Sequence, residues 1–78
     1  MKVQVTIRRR PQIADPQGIA VSRGLRDLGY EVEDVRIDRT VVLDVAGSEP
    51  EAIHEAVTEM CERLLANPVM EDYEIELL

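Results

Sequence analysis

The sequence predicts an α+β fold. It reads as a two-layer sandwich in the order β-α-β-β-α-β, with a four-stranded, mainly antiparallel sheet and two helices on one face. Three observations predict it. Period-two alternation opens the chain at Val3, Val5 and Ile7 and closes it at Tyr73, Ile75 and Leu77. Two longer stretches carry apolar residues at helical spacing. Turn and capping residues bound both stretches: Asp15-Pro16 and Gly29 around the first, Ser48 and Pro68 around the second. With 78 residues the chain is one domain, 1–78.

The elements follow in order. Lys2, Gln4, Thr6 and Arg8 interleave with the apolar residues of the first strand, so one face is buried and one is wet. Pro11 ends it. Asp15 is placed to cap the next helix, and Pro16 suits its first turn because the missing N–H is not needed there. Ile19, Ala20, Val21, Leu25 and Leu28 give that helix its apolar residues, and Gly29 its C-terminal cap. Gly18, in the first turn, is the glycine best placed for another backbone to approach. Val35 and Ile37 read as a second strand, Val41, Leu43 and Val45 as a third, with Asp38-Arg39 as the turn of a hairpin between them.

Ser48 and Glu51 have the spacing of a capping box. Ala52, Ile53, Ala56, Val57, Met60, Leu64 and Leu65 then form the stripe of a second helix, from about Glu49 to Ala66. Pro68 stops it. Asp72, Glu74 and Glu76 give the last strand an acidic outer face. A ferredoxin-like strand order, or a variant of it, would set this strand beside the first and bring Glu74 and Glu76 opposite Lys2 and Arg8.

Composition narrows the function. Hydrophobic content of 45% with 32% charged residues is that of a globular chain. The only aromatics are Tyr30 and Tyr73, so the core is aliphatic. Net charge is −7, unevenly spread: residues 49–78 hold nine acids and one base, residues 1–48 seven acids and eight bases. An acidic chain without a stacking surface is a poor nucleic-acid binder, despite Arg8-Arg9-Arg10. A single cysteine, Cys61, points to a reducing compartment. No apolar run is long enough for a signal core or a membrane span. The expectation is a cytoplasmic protein, and for so small a domain self-association, through the open sheet face or the sheet edges.

Residues able to do chemistry are few. His54, the one histidine, sits among acids on a helix surface with no nucleophile in view. Cys61 adjoins the apolar stripe and reads as a small core residue. The glycines fit neither nucleotide-binding loop, and the scattered carboxylates read as a solvated face. This pattern is that of an interaction module without a catalytic, cofactor or metal site of its own. A small-ligand-binding regulatory α+β module is the alternative.

Two blocks are more specific. Asp15-Pro16-Gln17-Gly18 opens the first helix. Met60 to Tyr73, with Leu-Leu-Ala-Asn-Pro-Val at its centre, closes the second and starts the last strand. With Leu28-Gly29-Tyr30 and Val32-Glu33-Asp34-Val35-Arg36 between them, they closely resemble PurS, the small subunit of phosphoribosylformylglycinamidine (FGAM) synthase, nearly end to end. The resemblance implies a non-catalytic subunit of a ligase in de novo purine biosynthesis. That enzyme uses ATP, magnesium and glutamine to convert formylglycinamide ribonucleotide into its amidine. It implies two partners, a large synthetase subunit (PurL) and a glutaminase subunit (PurQ), and a homodimer or dimer of dimers that bridges them and assists ammonia transfer. No cofactor is implied for this chain itself. The candidate partner contacts are then Asp15, Pro16, Gln17, Gly18, Asn67, Pro68, Glu71, Asp72 and Tyr73.

Overall fold

A computed structural model describes residues 1–78. The chain forms β1 (Lys2–Arg9), α1 (Pro16–Asp27), β2 (Arg39–Asp44), α2 (Pro50–Met60), a π-helical turn (Cys61–Leu65) and β3 (Glu71–Leu77). The sheet order is β2-β1-β3, and both pairings are antiparallel. Val3 faces Leu43 and Leu77, Val5 faces Val41 and Ile75, and Ile7 faces Arg39 and Tyr73. The alternation therefore puts three apolar rows on one face of the sheet.

α2 covers that face. Ile53, Val57 and Cys61, spaced four apart, are buried with Val3, Val5, Ile7 and Ala66. Each fully buried aliphatic side chain of this set contributes about 1.5–3 kcal/mol. The helix starts one residue later than its capping box suggested. Glu49 is the N-cap, without a side-chain cap bond, and Pro50 takes the first turn. Regular α-helix ends at Met60, where the expectation ran to Ala66. The Ala66 N–H donates to the Cys61 carbonyl at 3.0 Å, five residues back. This wider turn lets Cys61 and Ala66 both face the core.

Two expectations are overturned. The sheet has three strands, not four, and the hairpin at Asp38-Arg39 does not exist. No non-glycine residue has positive φ, so a type I′ turn there is excluded. Arg39 instead begins β2 directly. Continuing the β1–β2 register would set Ile37 opposite Arg9 and Arg36 opposite Arg10. The ladder stops because the Ile37 N–H donates to the Asp15 carboxylate at 2.7 Å. The Arg36 guanidinium meanwhile donates to the carbonyls of Arg9, Arg10 and Ile13. Residues 36 and 37 are thus tied by side-chain bonds to the end of β1 and the start of α1.

A further correction concerns α1, which does not form a layer with α2. No residue of α1 belongs to the hydrophobic core. The helix packs on the segment that follows it, with Gly18 and Ser22 buried. A Cβ on Gly18 would lie 2.1 Å from the Val35 carbonyl oxygen, so the close approach expected at this glycine is real. The helix ends in a Schellman motif. Gly29, at φ +97°, donates to the Arg26 carbonyl, and the Tyr30 N–H donates to that of Leu25. The chain is consequently long and thin, 50 × 24 × 14 Å, with a radius of gyration of 15.8 Å. A compact chain of this length would have roughly 11.5 Å. No helix is long and apolar enough to cross a membrane.

Candidate functional site

The two sequence blocks meet at one end of the sheet. Alternation along β1 carries Arg9 onto the same face as Ile7, and the pairing places Glu71 opposite it. Arg39, opposite Ile7, closes the other side. The start of α1 and the run into β2 complete a cavity of about 390 Å³. Its walls include Arg9, Asp15, Pro16, Gln17, Arg39 and Glu71, with Ile7 as an apolar floor residue.

One salt bridge and several side-chain-to-backbone bonds hold this wall in place. Arg39 grips Glu71 with two guanidinium nitrogens, at 2.6 and 3.1 Å. A third bond from Arg39 reaches the Leu65 carbonyl at 2.7 Å, tying β2 to the π turn. Glu71 also accepts the Asn67 N–H at 2.9 Å, and the Glu71 N–H donates back to the Asn67 carbonyl at 2.7 Å. The Asn67 side chain accepts from Val69, which shapes the turn around Pro68. Arg10 donates to the Pro68 carbonyl at 2.9 Å. Across the cavity, Asp15 accepts from Gly18 at 3.0 Å through one oxygen and from Ile37 through the other.

These contacts fix the charge state. The N–H groups of Ile37 and then Gly18 hold the Asp15 carboxyl below its ordinary range. The Arg39 guanidinium does the same for Glu71, aided by the Asn67 N–H. Both acids are ionised at neutral pH and neither is poised to give up a proton. The nine lining residues include no Ser, Thr, Cys, His, Lys or Tyr. The chemistry available is recognition: fixed cations and anions, the exposed Gln17 amide, and rigid backbone turns.

The structure brings Asp15, Pro16, Gln17 and Glu71 into this one wall, with Gly18 buried beneath it. Asn67 and Pro68 form the adjoining exposed corner. Asp72 and Tyr73 lie elsewhere. Asp72 pairs with Arg8 on the open face of the sheet, at 3.9 Å. Tyr73 donates its hydroxyl to Glu62 at 2.7 Å, and this bond first, then burial, pushes the phenol up to about 12. Arg9 and Arg39 were missed as site residues. The signal was available: Arg9 keeps step with Val3, Val5 and Ile7, and Arg39 keeps step with Val41 and Leu43.

Comparison with known proteins gives consistent matches. The family model described as PurS, phosphoribosylformylglycinamidine (FGAM) synthase, matches residues 2–78. The phosphoribosylformylglycinamidine synthase subunit PurS of Bacillus subtilis is 43% identical over 77 residues, covering 97% of this chain and 90% of that protein. The corresponding subunit of Methanothermobacter thermautotrophicus is 36% identical over 75 residues, covering 96% and 89%. Among solved structures, that of Bacillus subtilis PurS superposes with a TM-score of 0.86 at 43% identity, covering 96% of this chain and 94% of that one. A chain of the PurLQS structure from Thermotoga maritima gives a TM-score of 0.87 at 35% identity, with 99% and 95% covered.

Proposed function

The chain belongs to the PurS family of phosphoribosylformylglycinamidine synthase subunits, and from that premise we propose that it serves this ligase of purine biosynthesis as a non-catalytic docking subunit. In this reading it joins the synthetase subunit to the glutaminase subunit and acts as a homodimer or dimer of dimers. ATP, magnesium and glutamine are handled by the partners, and ammonia passes between them with this subunit's help. The setting is the cytoplasm.

The observation that carries the docking role is the convergence of the Asp15–Gly18 turn and the Asn67–Glu71 corner on one rigid, charged wall. Exposed loops held by a fixed scaffold are where binding residues concentrate. Val69, at the tip of that corner, is 81% exposed and belongs to no core.

Co-purification tests the role directly. This chain, recovered from extract of its own cells, is expected to bring the synthetase and glutaminase subunits with it. Gln17→Arg combined with Val69→Asp alters only exposed side chains. The double variant is expected to keep its own melting temperature while its affinity for the synthetase falls at least about tenfold, in line with loss of an interface anchor. Unchanged glutamine-dependent turnover at limiting small subunit would remove this wall from the docking surface.

A further inference from the structure

Arg9 is the one guanidinium at this end of the sheet that the chain leaves without an acceptor. Four other arginines gather around it, and each is bound. Arg8 donates to Glu74, Arg10 to the Pro68 carbonyl, Arg36 to the carbonyls of Arg9 and Arg10, and Arg39 to Glu71. The acids nearest Arg9 are spent elsewhere. Glu71 stands opposite it in the sheet, but Arg39 and the Asn67 N–H engage both Glu71 oxygens. Asp15 gives one oxygen to the Gly18 N–H and the other to the Ile37 N–H. Arg9 acts on both carboxyls only through space.

Arg9 is half-buried, and its five N–H donors have no use within the chain. A charge in that position gains from an acceptor that water alone does not supply. The surface around it is shaped to admit one. Arg9 borders three adjoining hollows, of about 390, 430 and 230 Å³. The first reaches the Asp15 turn and the third reaches Asn67 and Met70. A group held by Arg9 therefore lies between the two sequence blocks.

The chemistry of the lining identifies the occupant. The planar fork of a guanidinium matches the two oxygens of a carboxylate. Free small molecules settle in hollows lined mainly by apolar side chains. Here Ile7 and Ile37 are the only hydrophobic residues of the first hollow, and the second has none. The acid is thus carried by a protein surface, whose apolar contacts fall outside the hollows, as at exposed Val69. Asp38, exposed on the rim of the first two hollows, repels a second acid beside the first.

We propose that Arg9 anchors the docking wall by taking the carboxylate of an Asp or Glu side chain of the synthetase subunit. The inference rests on the docking reading above and names the residue and the charge through which the wall is recognised.

Calorimetric titration of the full chain into the synthetase subunit, at low and at physiological salt, tests it. Arg9→Gln removes no bond of the chain, so its melting temperature is expected to hold. Its dissociation constant is expected to rise at least about thirtyfold, as on loss of one member of a buried charge pair. Arg9→Lys keeps the charge without the fork and is expected to fall between the two; it serves also where Arg9→Gln melts early. Salt is expected to weaken the native complex more steeply than that of Arg9→Gln. Lys2→Gln, an equal loss of charge on the open sheet face, is expected to bind as the native chain does. The chain alone is expected to show no saturable heat with L-aspartate. Native affinity in either Arg9 variant, or an equal loss in Lys2→Gln, would overturn the anchor. Saturable aspartate binding that Arg9→Gln abolishes would give the hollow to a small ligand and overturn the protein-borne acid. The Gln17→Arg, Val69→Asp double variant decides separately whether the wall docks, so weakened binding there leaves the docking reading standing when the Arg9 anchor fails.

Discussion

Asp15 does three things at once, and only one of them is local. It caps α1 through Gly18, takes the Ile37 N–H out of the sheet ladder, and lines the cavity. Its carboxyl is held below the ordinary value of 3.8 by those two N–H groups. A carboxylate depressed in the folded state stabilises that state above its unfolded pKa and loses the effect as pH falls through the folded one. Glu71, depressed from 4.5 by Arg39, acts in the same direction. The melting temperature is therefore expected to hold from neutral pH to about 4.5 and to fall progressively below it. Asp15→Asn is expected to flatten the lower part of that fall; an unchanged acid profile would mean Asp15 is not a source of it. Beneath Asp15, Gly18→Ala would drive a methyl to 2.1 Å from the Val35 carbonyl. Overpacking of this kind costs about 2 kcal/mol, or roughly 10 °C in a domain of this size, measurable by thermal melting. Both roles were legible in part. Asp-Pro announces a cap and Gly18 a close approach, but nothing local reveals that Asp15 also reaches across to Ile37.

At the scale of elements, local pattern placed the strands and helices and failed where a long-range bond decides. Val35 and Ile37 alternate as a strand should, and their alternation runs on into Val41 and Leu43. Sequence shows the alternation and does not show that Asp15 and Arg36 take the hydrogen bonds a fourth strand would need. The polar pair Asp38-Arg39 then looked like a turn, when Arg39 is the clamp that joins β2, the π turn and β3. The corner residues Asn67 and Pro68 were legible because proline and asparagine mark turns through their own backbone chemistry. Arg39→Ala is expected to release Glu71 and the Leu65 carbonyl together. Exchange with solvent is expected to make the cost about 1 kcal/mol, since the Arg39 side chain is half exposed. Amide hydrogen exchange should speed up at Asn67, Met70 and Glu71 and stay slow at Val5. Equal acceleration at Val5 would mean that the corner and the core open as one unit.

At the scale of the molecule, the chain shows the thin margin that 78 residues impose. Ten residues are buried, seven of them the apolar core, and the whole α1 layer lies outside that core. Length and the split between a slightly basic first half and a strongly acidic second half lead the sequence reading to expect a partner. Sequence could not announce that α1 leaves its own sheet, because the helix has the same apolar stripe whether it covers its own chain or another. This difference has a thermodynamic signature. If the chain acts as the homodimer proposed above, unfolding releases two chains from one dimer, and the folded state gains from mass action. Unfolding enthalpy of about 0.7 kcal/mol per residue gives roughly 110 kcal/mol for two such chains. A tenfold dilution is then expected to lower the melting temperature by about 4–5 °C. A melting temperature constant over a hundredfold dilution of the native chain would mean that the protomer is stable without a second copy, however much apolar surface it leaves in water.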